Sequence, residues 1–99
     1  MTTATEHDTL EKVVLQPPKP WVVILYNDDY TPVDFVIELL MDCFHKSEEE
    51  ASEITMKVHN EGSSVVSRYT KDVAQTKAAL AMNLAASEGH PLRCEAQRE

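Results

Sequence analysis

Residues 21–26, Trp-Val-Val-Ile-Leu-Tyr, are apolar at every position and rich in β-branched and aromatic types, which predicts a central strand. The period then changes. Phe35, Val36, Leu39, Leu40, Cys43 and Phe44 recur at steps of one, three and four and draw a wide apolar stripe on a first helix. Its start signal is Thr31 as N-cap with Pro32 in the first turn. Lys46 and Ser47 interrupt the stripe. Ser47-Glu48-Glu49-Glu50 reads as a capping box, so a second helix follows, with Ala51, Ile54, Thr55 and Val58 inward and Gly62 as its stop. Residues 64–69 predict a second strand. Thr70 caps a third helix, whose inward face falls to Val73, Leu80, Ala81 and Leu84, padded by further alanines that allow close approach to a sheet. Gly89 ends it, and residues 92–96 alternate as a short third strand. The expected fold is α+β, two layers with a small sheet covered by helices, in the order β-α-α-β-α-β.

Composition narrows this picture. Ninety-nine residues make one domain at most. The first 20 hold few apolar residues before Val13 and end in Pro17-Pro18-Lys19-Pro20, so they read as a flexible, solvated N-terminal extension (1–20) to a core domain (21–99). No charged-then-apolar leader and no apolar run of membrane length is visible, so the expectation is a cytoplasmic protein with no membrane partner. The net charge of −8 comes without any basic cluster, which argues against nucleic acid and favours cationic ligands or basic protein patches. Cys43 and Cys94 are too few for a disulfide framework and lack metal spacing; buried, reduced thiols are expected.

The chemistry concentrates at Asn27-Asp28-Asp29, where the first strand meets the first helix. Two carboxylates and a carboxamide are costly to bury without partners. The short link at Lys46-Ser47 makes the first two helices pack antiparallel, which returns the end of the second to the start of the first and brings His59 beside the acidic cluster. Four readings compete there. A catalytic Asp–His pair lacks a Ser or Cys nucleophile in a tight turn. A metal site lacks a calcium-loop glycine and a His-x-x-x-His pair. The residues could simply form a turn and a helix cap. The fourth reading is capture of a primary ammonium, whose three donors match a carboxamide oxygen, a carboxylate (directly or through water) and a neutral imidazole nitrogen. An apolar hole from Leu25, Val33, Val36, Thr55 and Val58 would take the adjoining side chain, as in recognition of a peptide N-terminus. Asp29 falls to turn and cap chemistry.

Along these stretches the chain resembles the ClpS family, adaptors that hand N-end rule substrates to the ClpA or ClpC unfoldase of the Clp protease. The matching motifs are Val23-Ile24-Leu25-Tyr26-Asn27-Asp28-Asp29-Tyr30-Thr31-Pro32, Phe35-Val36-Ile37, Val58-His59 with Gly62, Asp72-Val73-Ala74-Gln75-Thr76-Lys77 and His90-Pro91-Leu92-Arg93-Cys94. The resemblance implies a three-stranded antiparallel sheet packed against three helices, and an adaptor that is not an enzyme, needs no cofactor or metal, and acts as a monomer. It implies α-amino binding by Asn27, Asp28 and His59, and a side-chain pocket at Leu25, Thr31, Val36, Val58 and Leu92 that takes Phe, Leu, Tyr or Trp. Docking on the unfoldase's N-terminal domain falls to Tyr30, Asp72 and Lys77, and the arm at 1–20 matches the extension engaged during transfer. Two positions depart from the pattern: Val33 and Thr55 stand where many members carry Met, so the pocket is expected to be differently bounded, Thr55 adding a hydroxyl. Asp28→Ala or His59→Ala is expected to weaken capture with the fold intact, and protonation of His59 to weaken it in acid. The competing expectation is a non-degradative interaction module similar to the C-terminal domain of the ribosomal stalk protein, working through its helix surfaces with no need of a free α-amine.

Overall fold

The computed structural model describes residues 19–99, so most of the extension assigned to 1–20 lies outside the described residues. The elements run β1 (Trp21–Tyr26), α1 (Val33–Phe44), α2 (Glu48–Glu61), β2 (Ser63–Tyr69), α3 (Lys71–Ser87) and β3 (Arg93–Arg98), the order expected. β1 is central in the sheet order β2-β1-β3 and antiparallel to both neighbours. That placement explains its unbroken apolar run, with Val22, Val23 and Leu25 buried. The register with β2 shifts between Val23 and Ile24, so Val66 has no direct partner and turns into the core.

The three helices cover one face. Leu39, Leu40 and Phe44 of α1, with Ala51 and Val58 of α2, close over Val23 and Leu25. Ser47 caps α2 reciprocally with Glu50, each side chain taking the other's backbone N–H, as the sequence predicts. Gly62 ends α2 at φ 92°, where a side chain would be strained. His45 ends α1 in the left-handed region at φ 56°, a turn tight enough to set α1 and α2 antiparallel.

Four local expectations need correction. Pro32, not Thr31, occupies the N-cap of α1, because the Thr31 hydroxyl is drawn back to Asp28 instead of forward to the helix. Thr70 stands at the N-cap of α3 but makes no side-chain capping bond. The inward face of α3 is Ala74, Ala78, Ala81 and Ala85, all at most 4% exposed, whereas Val73, Leu80 and Leu84 are 41%, 56% and 39% exposed. The alanines repeat at steps of four, three and four and let the helix lie close against β1 and β3; the larger residues would hold it off. Cys94 is buried, its Sγ donating to the Ala78 carbonyl at 3.3 Å, and burial first, then the neighbouring Cys43, pushes its thiol up to about 11. Cys43, expected to be buried, is only half-buried on the α1 flank.

Candidate functional site

Two backbone facts assemble the site. Tyr26 pairs with Ser63 at the end of the β1–β2 ladder, and Asn27 N–H donates to the Gly62 carbonyl at 2.9 Å. The segment leaving β1 is thereby fixed against the C-terminal end of α2, one turn from His59. A recess of about 220 Å³ opens there. That lies below the roughly 300–1,000 Å³ of a whole small-molecule site and suits one side chain.

Its walls include Leu25, Thr31, Val33, Val36, Thr55 and Leu92, and its rim carries Asn27, Asp28 and His59. The structure thus gathers every residue assigned to amine capture and all of the side-chain hole except Val58. Val58 precedes His59 by one residue, about 100° round the helix, and points into the core instead. Thr55 and His59, four apart, share the face that Val58 leaves. Tyr26 and Asp29 also line the recess, although neither was assigned to it. No Lys or Arg does, so the described lining offers no cation to compete with a ligand's charge.

Asp28 has a second task. Its Oδ1 accepts the Tyr30 and Thr31 backbone N–H groups, both at 2.8 Å, and the Thr31 hydroxyl lies 3.0 Å from Oδ1 and 2.8 Å from Oδ2. The turn chemistry assigned to Asp29 is therefore carried by Asp28, whose carboxylate bonds to backbone two and three residues on, as Asx turns do. Oδ1 is saturated, while Oδ2 keeps a lone pair free for another donor. Partial burial pushes the Asp28 carboxyl up, but the bonds from Thr31 and Tyr30, with the charge of His90, outweigh it and hold the group below its ordinary value. A lowered carboxyl stabilises the fold above the usual carboxylate range and loses that contribution as pH falls through the lowered value. The gap in Tm between the parent and Asp28→Asn is expected to narrow as thermal melts move from neutral pH into acid. A gap constant with pH would disprove this. Asp28→Ala also breaks the turn, so it is not the clean test of capture that the sequence suggested.

Asn27 and His59 are exposed, and among the described residues neither side chain has a hydrogen-bond partner in the fold. Their acceptors are free. Thr55 is the opposite case: buried, with its hydroxyl donated to the Ala51 carbonyl at 2.7 Å. The hydroxyl expected to reach the hole is spent inside α2. Val33 stands half-exposed at the mouth. Of the docking residues, Tyr30 is exposed beside the recess turn, while Asp72 and Lys77 share a separate groove with Cys43, Val73, Thr76 and Leu80. Among the described residues, no three His, Cys, Asp or Glu side chains are grouped to hold a metal ion. No helix among them is long and apolar enough to cross a membrane.

Residues 16–95 match the family described as ATP-dependent Clp protease adaptor protein ClpS. A relative from Deinococcus radiodurans, an ATP-dependent Clp protease adapter protein ClpS, is 47% identical over 91 residues, covering 92% of this chain and 80% of the relative. One from Neisseria meningitidis serogroup A, with the same description, is 43% identical over 93 residues, 91% of this chain and 90% of the relative. Among solved structures, Agrobacterium tumefaciens ClpS2 bound to L-phenylalaninamide superposes with a TM-score of 0.82 at 40% identity, over 84% of this chain and all of that one.

Proposed function

The chain belongs to the ClpS family of Clp protease adaptor proteins, and from that premise we propose that it captures N-degron substrates by their free α-amino group and first side chain and delivers them to a Clp AAA+ unfoldase. The observation that carries this reading is the recess itself. Three acceptors of different type, the Asn27 carboxamide oxygen, Asp28 Oδ2 and a His59 ring nitrogen, stand on one rim of an apolar hole sized for one side chain. An ammonium group supplies three donors to match them. Leu25, Val36, Thr55 and Leu92 then enclose the first side chain, with Val33 at the entrance. The Agrobacterium relative supports this assignment, because L-phenylalaninamide offers a free α-amine beside a phenyl ring.

In this reading the protein works as a monomer in the cytoplasm and catalyses nothing. Hydrolysis belongs to the protease it serves. Tyr30, Asp72 and Lys77 lie outside the wall of the hole and dock on the N-terminal domain of a ClpA- or ClpC-type unfoldase, and residues 1–20 serve as the extension engaged during transfer. A panel of peptides differing only in the first residue tests the capture step: Leu, Phe, Tyr and Trp should bind, and Gly, Glu or Lys should not. Equal binding across the panel would sink the reading.

Val33 sharpens the expectation. A short branched side chain at the mouth leaves room for a branch at the ligand's own β-carbon, so peptides beginning with Ile or Val are admitted. Val33→Met should weaken Ile- and Val-initiated peptides by about 1–3 kcal/mol, the scale of methylene-sized differences, and change Leu and Phe less. Affinity ratios for the four peptides check this; ratios unchanged by the substitution would refute it.

A further inference from the structure

The large side chains that α3 turns away from the core are not scattered. Val73, Lys77, Leu80, Leu84 and Glu88 follow one another at steps of four, three, four and four, a single flank about 22 Å long at 1.5 Å per residue. That flank runs beside α1, whose Phe35, Leu39 and Cys43 recur at steps of four. The seam between the two helices carries two neighbouring recesses, together called the furrow. One end, about 270 Å³, holds Cys43, Val73 and Leu80; the other, about 520 Å³, is floored by Phe35, Leu39 and Leu84. Carboxylates stand on both banks: Asp34, Glu38 and Asp42 on α1, Asp72 on α3 and Glu88 at its C-cap. Among the described residues, the one Lys or Arg in its lining is Lys77, which donates its ammonium to the Cys43 carbonyl at 2.8 Å and pins the seam, and His90 packs edge-on against Phe35 at 4.6 Å between ring centroids, so the five carboxylates outnumber both.

We propose that the α1–α3 furrow receives an amphipathic helix with basic flanks from the docking partner, its apolar ridge on Phe35, Leu80 and Leu84 and its Lys or Arg side chains against the carboxylate banks. This deepens the docking half of the function proposed above and does not depend on the capture half. An apolar groove with anchors at helical spacing is the form that accepts an amphipathic helix, and the charge selects its sign. A second copy of this chain, at net charge −8, would face like charge. The chain's own first 18 residues hold Glu6, Asp8 and Glu11 against Lys12, so they are also of the wrong sign. The furrow is continuous with Asp72, already assigned to docking, and lengthens that surface by about three helical turns toward Glu88.

The test is calorimetric titration of the full chain with the isolated N-terminal domain of its own organism's ClpA- or ClpC-type unfoldase. Leu84→Ser and Glu38→Lys alter exposed positions outside the capture site, and Val65→Ser, exposed on β2, serves as control. Leu84→Ser and Glu38→Lys should each weaken binding tenfold or more, with Val65→Ser and N-degron peptide affinity unchanged. The Glu38→Lys effect should shrink in salt near 1 M, where the screening length falls to about 3 Å. If both variants bind at parent strength while Asp72→Ala does not, the furrow assignment is overturned and the docking reading stands. A parent chain that ignores the domain overturns both. A dimer in sedimentation that Leu84→Ser dissolves would make a second copy the occupant, against this proposal.

Discussion

A Phe-initiated peptide whose α-amine is acetylated is expected to bind on the order of 100-fold or more weakly than its free-amine twin. Acetylation removes the charge and two of three donors, leaving one N–H for three acceptors. Each hydrogen bond to a charged group contributes about 1.5–3 kcal/mol, and two such losses exceed the roughly 2.7 kcal/mol that a hundredfold requires. The added acetyl group must also fit on the rim beside Asn27 and His59. His59→Ala removes one acceptor on an exposed ring, so it should cost roughly 10–100-fold for the free-amine peptide. It should cost little for the acetylated one. Fluorescence anisotropy of the two peptides against both proteins closes the cycle. Equal affinities for the free and acetylated peptides would end the ammonium model; a His59→Ala loss shared equally by both would assign the histidine to the side-chain hole instead.

The largest effect on stability is expected from Ala81→Leu. Ala81 is fully buried on the face of α3 that packs against the sheet, among Ala74, Ala78 and Ala85. Three added carbons must either push α3 off the sheet or take a strained rotamer, and overpacking of this kind costs about 1–3 kcal/mol, at times more. For a domain of this size each kcal/mol corresponds to a Tm change of roughly 4–8 °C. Leu80→Ala, on the exposed flank one residue away, should change Tm by no more than about 0.5 kcal/mol equivalent. Thermal melts of the two variants distinguish the faces. A stable Ala81→Leu beside a destabilised Leu80→Ala would show that the larger side chains, and not the alanine row, face the sheet.

The contrast between those two substitutions shows where the sequence is legible. β1, the stripe of α1, the Ser47 capping box and the Gly62 stop each depend on local chemistry, and all four stand as read. His59 beside Asn27 follows from the antiparallel helix pair, whose only requirement is a short link. The face of α3 obeys another rule. It is rich in both small and large apolar residues, and which set turns inward depends on how near the sheet lies, a distance no local pattern states. The Asx turn at Asp28 had a local signal, an acidic residue two and three positions before exposed N–H groups, but it competed with the Thr31-Pro32 helix start and the nearer bond won. Thr55 illustrates a third limit: a hydroxyl's availability depends on whether its own helix has already claimed it.

The central place of β1 has a mechanical consequence. The chain enters the domain at Pro20, whose carbonyl accepts the Glu99 N–H at 3.1 Å, so the start of β1 and residue 99 meet at one corner. A pull applied at Pro20 and directed along the strand loads both flanking ladders in shear. Their hydrogen bonds share the force and must fail together, not one after another as in an edge strand peeled from its end. The recess lies at the opposite end of β1, about 20 Å away at roughly 3.4 Å per residue. Tension on the entering chain is therefore carried by the sheet before it reaches the recess.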